Sequence, residues 1–165
     1  MSTRIEIGTA ATALWLLLAG TARAADPPAT ADVLGKLHTS NLTEIEAGRL
    51  AQDYGHSSAT KDYGKMLIQD HRSSDKKVLA LAKEERIDLS ASAPVVGSNE
   101  LADLTAGPKF DKRFARSMVS DHKKDIAEVT AARDTTNDAK LKKLLTALLP
   151  TLQKHEEMAE KLPGG

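Results

Sequence analysis

Cysteine is absent from all 165 residues. That excludes disulfides and thiolate chemistry, so the folded domain must hold together by packing alone, and any metal it binds must be met by nitrogen and oxygen donors. Net charge is absent too, with 23 Lys and Arg set against 23 Asp and Glu. This balance gives no reason to expect nucleic acid or an anionic membrane as a partner. Aromatic residues make up 3% of the chain, while Ala, Leu and Lys are plentiful, a composition that points to helices. The apolar run from Ile7 to Ala19 is too short to span a bilayer.

That run reads instead as part of a leader. Arg4 precedes it and Ala22-Arg23-Ala24 follows with the small-residue spacing of a signal-peptidase site, so residues 1–24 are expected to be a cleaved signal peptide that directs the chain to the periplasm. No cysteine follows the run, which excludes a lipid anchor there. Removing Arg4, Arg23 and Glu6 with the leader leaves 141 residues carrying 21 basic and 22 acidic groups. This is one domain's worth, enough for a real core, and no stable membrane insertion of the mature chain is expected. Residues 25–30 form a Pro-Pro linker, and 31–162 are expected to form a single four-helix domain.

An Asp-His pair occurs twice, as Asp70-His71 and Asp121-His122. Aligning the two also superposes Tyr63, Leu67, Ile68 and Val78 on Phe114, Met118, Val119 and Val129 without a gap. The chain therefore contains two related helical halves.

Apolar recurrence at Val33, Leu34, Leu37, Ile45, Gly48 and Ala51 predicts a first helix from about Ala31 to Tyr54, stopped by Gly55. Ser57 or Ser58 can cap a second helix that carries Tyr63, Met66, Leu67, His71, Val78 and Leu81 on one face and ends near Arg86. So short a turn makes the two antiparallel neighbours. Ile87 to Ala106 holds Pro94 and Gly97 and lacks sustained periodicity, with at most a helical turn around Glu100 to Leu104. A helix near 26 residues is about 39 Å long and twenty extended residues reach roughly 66 Å, so this segment can cross the length of a bundle and leave the second and third helices parallel. Gly107-Pro108 is expected to open the third helix, with the proline in its first turn. This helix runs through Phe110, Phe114, Met118, His122, Ile126 and Val129 to about Arg133. Thr135 to Asp138 forms a turn before a fourth helix to about Lys161, in which Pro150 predicts a kink.

At 100 degrees per residue, His71, His122 and His155 each fall on the apolar stripe of their helix, and Glu44 falls on that of the first. Each helix thus offers one inward titratable group, and such groups must find one another, a metal or water. Three imidazoles and a carboxylate would suit zinc or copper, and with open positions iron or manganese. Asp70 and Asp121, about 100 degrees off the stripe, could ligate a metal directly but are better placed to orient imidazole N–H groups or to meet lysines at a seam. The alternative is a purely structural polar network, in which the histidines only fix helix register. His38, at the edge of its stripe, and His56, in a turn, are expected to be solvated. Met66, Met118 and Met158 read as core filling, and the Lys pairs at 76, 123 and 142 as outer faces. No nucleophile elbow or other recognisable catalytic set is present, so an enzyme is the third reading behind a metal-binding protein and an envelope stress or interaction module.

The run Asn41-Leu42-Thr43-Glu44-Ile45-Glu46-Ala47-Gly48-Arg49-Leu50-Ala51, then Met66 to His71, Phe110-Asp111 with Met118 to His122, and Leu149 to His155, resembles the bacterial exported family called domain of unknown function 4142 (DUF4142). The resemblance implies a ferritin-like four-helix bundle in the periplasm or envelope, without an established activity. It marks Glu44, Asp70, His71, Asp121, His122 and His155 as the positions to watch. The chain departs from the diiron members of the wider ferritin-like group, which carry Glu-x-x-His on two helices. Ile68, Val119 and Leu152 stand three residues before the histidines here.

Overall fold

The computed structural model describes residues 29–90 and 107–164, and among them are four helices. α1 spans Thr30–Tyr54, α2 Ser58–Glu85, α3 Phe110–Thr135 and α4 Ala139–Ala159. The expected leader and most of the expected linker lie outside the described residues, as does the turn around Glu100 to Leu104.

Local chemistry sets the helix ends. Gly55 closes α1 with its N–H on the carbonyl of Ala51, and Ser57 caps α2 by accepting from the N–H of Thr60 at 3.1 Å. Arg86 ends α2 in the left-handed region at φ 58°. Asp138 caps α4, its Oδ1 accepting from Lys140 and Leu141 at 2.9 and 3.1 Å. Such caps satisfy the backbone donors at the starts of helices and the carbonyls at their ends that a helix leaves unpaired. Two expected boundaries move. Pro108 stands outside α3, in a turn closed by the N–H of Phe110 on the carbonyl of Gly107, because Gly107 takes φ 144° and carries the chain away from helical geometry. α4 ends at Ala159, where the last residues tighten into i to i−3 bonds from Lys161 and Leu162. Pro150 lies inside α4 without interrupting it. Pro150 and Thr146 are both exposed, so the carbonyl that loses its helical donor faces water.

The helices run up, down, down, up. Asp111 in the first turn of α3 accepts from the backbone N–H groups of His56 and Ser57, both at 2.8 Å, which places the starts of α2 and α3 at the same end. Thr30 at the start of α1 donates to Asp138 at the start of α4 at 2.9 Å. Glu84 and Glu85 at the end of α2 meet Lys140 at that other end. α2 and α3 are therefore parallel, and the chain between them is the long crossover that the sequence predicts. α1 packs on α2 and α3 on α4, and the two hairpins meet through α2 against α4 and, more loosely, α1 against α3. This is a ferritin-like four-helix bundle.

The two halves of the repeat face one another across the bundle. Tyr63 meets Phe114 edge-on with ring centroids 5.9 Å apart, and His71 meets His122 at 5.9 Å. One apolar cluster holds Ala47, Tyr63, Leu67, Phe110, Phe114, Met118 and Ala159. A second holds Val33, Leu34, Val78, Val129, Leu141, Leu145 and Leu152. The histidines lie between them in every helix that carries one: His71 between Leu67 and Val78, His122 between Met118 and Val129, His155 between Leu152 and Ala159. The core is thus two apolar blocks separated by a polar layer. On the α1–α2 seam the backbones come very close, so that a Cβ at Gly48 would lie 2.6 Å from the carbonyl oxygen of Gly64.

Candidate metal centre

α2, α3 and α4 each contribute one imidazole to the polar layer. His71, His122 and His155 are 2%, 1% and 0% exposed, and a ring nitrogen from each lies within 4.8 Å of the others. Among the described residues this is the group of histidines and carboxylates close enough together to hold an ion.

The partners of each ring decide which nitrogen carries the proton. His122 Nδ1 lies 2.8 Å from the carbonyl of Met118, an acceptor only, so Nδ1–H donates there and Nε2 keeps its lone pair. His155 Nε2 lies 3.0 Å from Oδ2 of Asp70, so Nε2–H donates to the carboxylate and Nδ1 is bare. These two bare nitrogens, His122 Nε2 and His155 Nδ1, face each other at 3.3 Å. His71 Nδ1 lies 3.0 Å from Oδ1 of Asn41 and donates to it, leaving Nε2 bare, buried and without a hydrogen-bond partner. Two opposed lone pairs and a third unpartnered one in a buried layer are unfavourable unless a cation or the protons of a water sit among them.

The electrostatics keep the imidazoles neutral. Burial lowers the pKa of His71 well below its ordinary value, and repulsion from His155 and His122 adds to this. His122 falls to about 4, mainly through burial, with the Met118 carbonyl opposing. His155 is lowered by burial, against the pull of Asp70. Neutral imidazole is the form that ligates metals. The donor set of three imidazoles suits a first-row transition metal rather than a hard cation such as magnesium or calcium.

The structure places the other expected site residues as follows. Glu44 is buried at 4% exposure, and its charge helps to raise the pKa of Tyr63, after burial itself, but it does not join the three-imidazole group. Asp70 orients His155, and Lys154 stands 3.7 Å from the same carboxylate oxygen. Asp121 accepts from Ser117 at 3.0 Å, while the proton of His122 is held by a backbone carbonyl. His56 is exposed, and its Nε2 reaches the carbonyl of Gly107 at 3.0 Å.

His38 is a correction. Expected in solvent, its Nδ1 lies 2.6 Å from Oδ1 of Asp75, with the two side chains 13% and 12% exposed. The close α1–α2 seam covers a position that helix periodicity leaves at the edge. Asn41, which fixes the proton of His71, was not singled out by the sequence reading. Its signal was there, for Asn41 repeats the spacing of Leu34, Leu37, Ile45 and Gly48 and is a polar residue on the stripe.

Fold and site together define a class: a four-helix bundle with parallel second and third helices and a buried layer of three imidazoles at mid-height. The chain belongs to the family described as Domain of unknown function (DUF4142), whose model matches residues 18–162. Among solved structures it is similar to CopM in its Cu(II)-bound form, with a TM-score of 0.71 and 13% identity over 82% of this chain and 95% of that one. The Cu(I)-bound form of CopM gives 0.69 and 13% identity over 81% and 94%. A DUF305 fragment from Deinococcus radiodurans gives 0.70 and 12% identity over 82% and 97%. At these identities the likeness is one of fold. No curated protein matches the chain.

Proposed function

We propose that this is an exported, periplasmic transition-metal-binding protein that holds one ion on His71, His122 and His155. The observation that carries this reading is the convergence of three neutral imidazoles, a ring nitrogen of each within 4.8 Å of the others and the unprotonated nitrogens of His122 and His155 facing each other at 3.3 Å. Asn41, the Met118 carbonyl and Asp70 hold the rings in that protonation pattern, the role that outer hydrogen bonds play at metal sites. Glu44 of α1, buried but outside the three-imidazole group, is the candidate for a fourth ligand. Copper is the first metal to expect, because nitrogen sites favour Cu²⁺ over the other divalent first-row ions, and structures of the same fold have been solved with copper bound. Zinc and iron are the competitors. The leader at residues 1–24 supports export.

The test is the metal content, by mass spectrometry, of untagged protein purified from the periplasm, beside a His71→Ala, His122→Ala double variant. Stoichiometric metal in the first and none in the second is expected. Metal-free protein that takes up no copper, zinc or iron at micromolar concentration would refute the reading. The second reading, a polar core that only sets helix register within an interaction module, is favoured by one fact: each imidazole already has one hydrogen-bond partner. It predicts equal thermal stability with and without metal, whereas an ion at a hundred times its Kd adds about 2.7 kcal/mol.

A further inference from the structure

We propose that the cleft between α1 and α3 is the route by which the metal ion reaches and leaves the three-histidine layer, and that His71 is the ligand that receives it. The inference rests on the metal reading above. α1 and α3 are the most loosely packed of the neighbouring helix pairs, and the space between them is a cleft of about 410 Å³. Its walls are apolar, among them Val33, Leu37, Val129 and Leu148, and Asn41 and His71 line it as well. Neither His122 nor His155 lines it. The cleft thus leads from solvent to one member of the cluster, His71, whose bare Nε2 is covered and has no hydrogen-bond partner.

The geometry suits a hydrated cation. At roughly 30 Å³ per water the cleft holds on the order of ten waters, enough for an ion with its first hydration shell. Asp125 and Glu128 also line it, against one ammonium from Lys36, so its polar lining is on balance attractive to a cation. Ser40 of α1 donates to Asp125 of α3 at 2.7 Å, tying the two helices together across this opening. An ion that sheds water there meets the amide of Asn41 and then His71, before His122 and His155 complete its ligation.

Cu(II) uptake by the metal-free mature chain, followed by stopped flow, and release to a chromophoric chelator test the route. Ala132 lines the cleft, and Ala132→Trp fills it. This variant is expected to slow uptake and release together, each at least tenfold, with stoichiometry and Kd unchanged. Ser40→Ala, which cuts the tie, speeds both. His71→Ala, which removes the receiving ligand, is expected to slow uptake at least tenfold, and wild-type uptake by this variant would overturn its role. If Ala132→Trp lacks the wild-type helical signal, Leu37→Phe fills the same space. Wild-type rates in the filled variant overturn the route and leave the site standing, whereas no uptake by the wild-type chain overturns both.

Discussion

At the scale of single residues the protonation pattern of the three histidines is the sharpest feature. At pH 7, long-range ¹H–¹⁵N spectra of the metal-free protein are expected to show Nδ1–H tautomers for His71 and His122 and the Nε2–H tautomer for His155. Three identical tautomers would contradict the hydrogen bonds described. The same burial makes stability pH-dependent. The native pKa of His122 lies near 4, below the ordinary 6.5 of an unfolded chain, so its contribution is complete above about pH 6.5. It is lost as pH falls towards 4, because the unfolded state takes up a proton that the native state refuses. His122 alone then costs about 1.4 kcal/mol per pH unit in that window, and His71 and His155 act in the same direction. Urea midpoints of the metal-free protein between pH 7 and 4.5 should fall accordingly, and a flat profile would show that the imidazoles are already solvated.

Among elements, the α1–α2 seam is the least tolerant of added volume. Helix propensity favours Ala over Gly by about 1 kcal/mol, yet a methyl at Gly64 would lie 2.6 Å from the Cβ of Ala51 and 2.7 Å from the carbonyl oxygen of Gly48. Overpacking of this kind costs typically 1–3 kcal/mol. Gly64→Ala should lower the urea midpoint, and a raised midpoint would mean that the helices slide apart freely. At the other contact between elements, Asp111 receives two backbone N–H groups from the α1–α2 turn. Burial opposes its charge, but those bonds, with side-chain bonds from Ser57 and Thr60, hold its carboxyl below the ordinary range. Asp111→Ala leaves two donors to water and should destabilise by about 1–3 kcal/mol, measured by thermal unfolding.

These elements also show what a sequence can and cannot disclose. The four helices and the inward turn of His71, His122 and His155 were legible because each depends on periodicity within one helix, and the crossover because an aperiodic stretch of about twenty residues is long enough to span a bundle. The partner of His38 was not, since Asp75 stands on another helix and the closeness of the seam is a property of the pair. The start of α3 was misplaced because the left-handed Gly107 spends the proline on a turn. Glu44 was correctly placed inside, but periodicity gives a direction without a depth or a neighbour, and it could not separate this carboxylate from the three-imidazole group.

For the whole molecule, the division of the core into two apolar blocks bears on how the bundle comes apart. Each block is stabilised by its own contacts, while the layer between them contributes little cohesion when its lone pairs face one another empty. Without metal, the two ends can open as separate cooperative units, and amide exchange should sort the backbone into two populations with different opening free energies. An ion held by residues from three helices at mid-height would tie those units together and raise both populations to the free energy of global unfolding. In that case the bound metal would set the size of the cooperative unit, and a protein that loses the ion would fray from both ends before it unfolds.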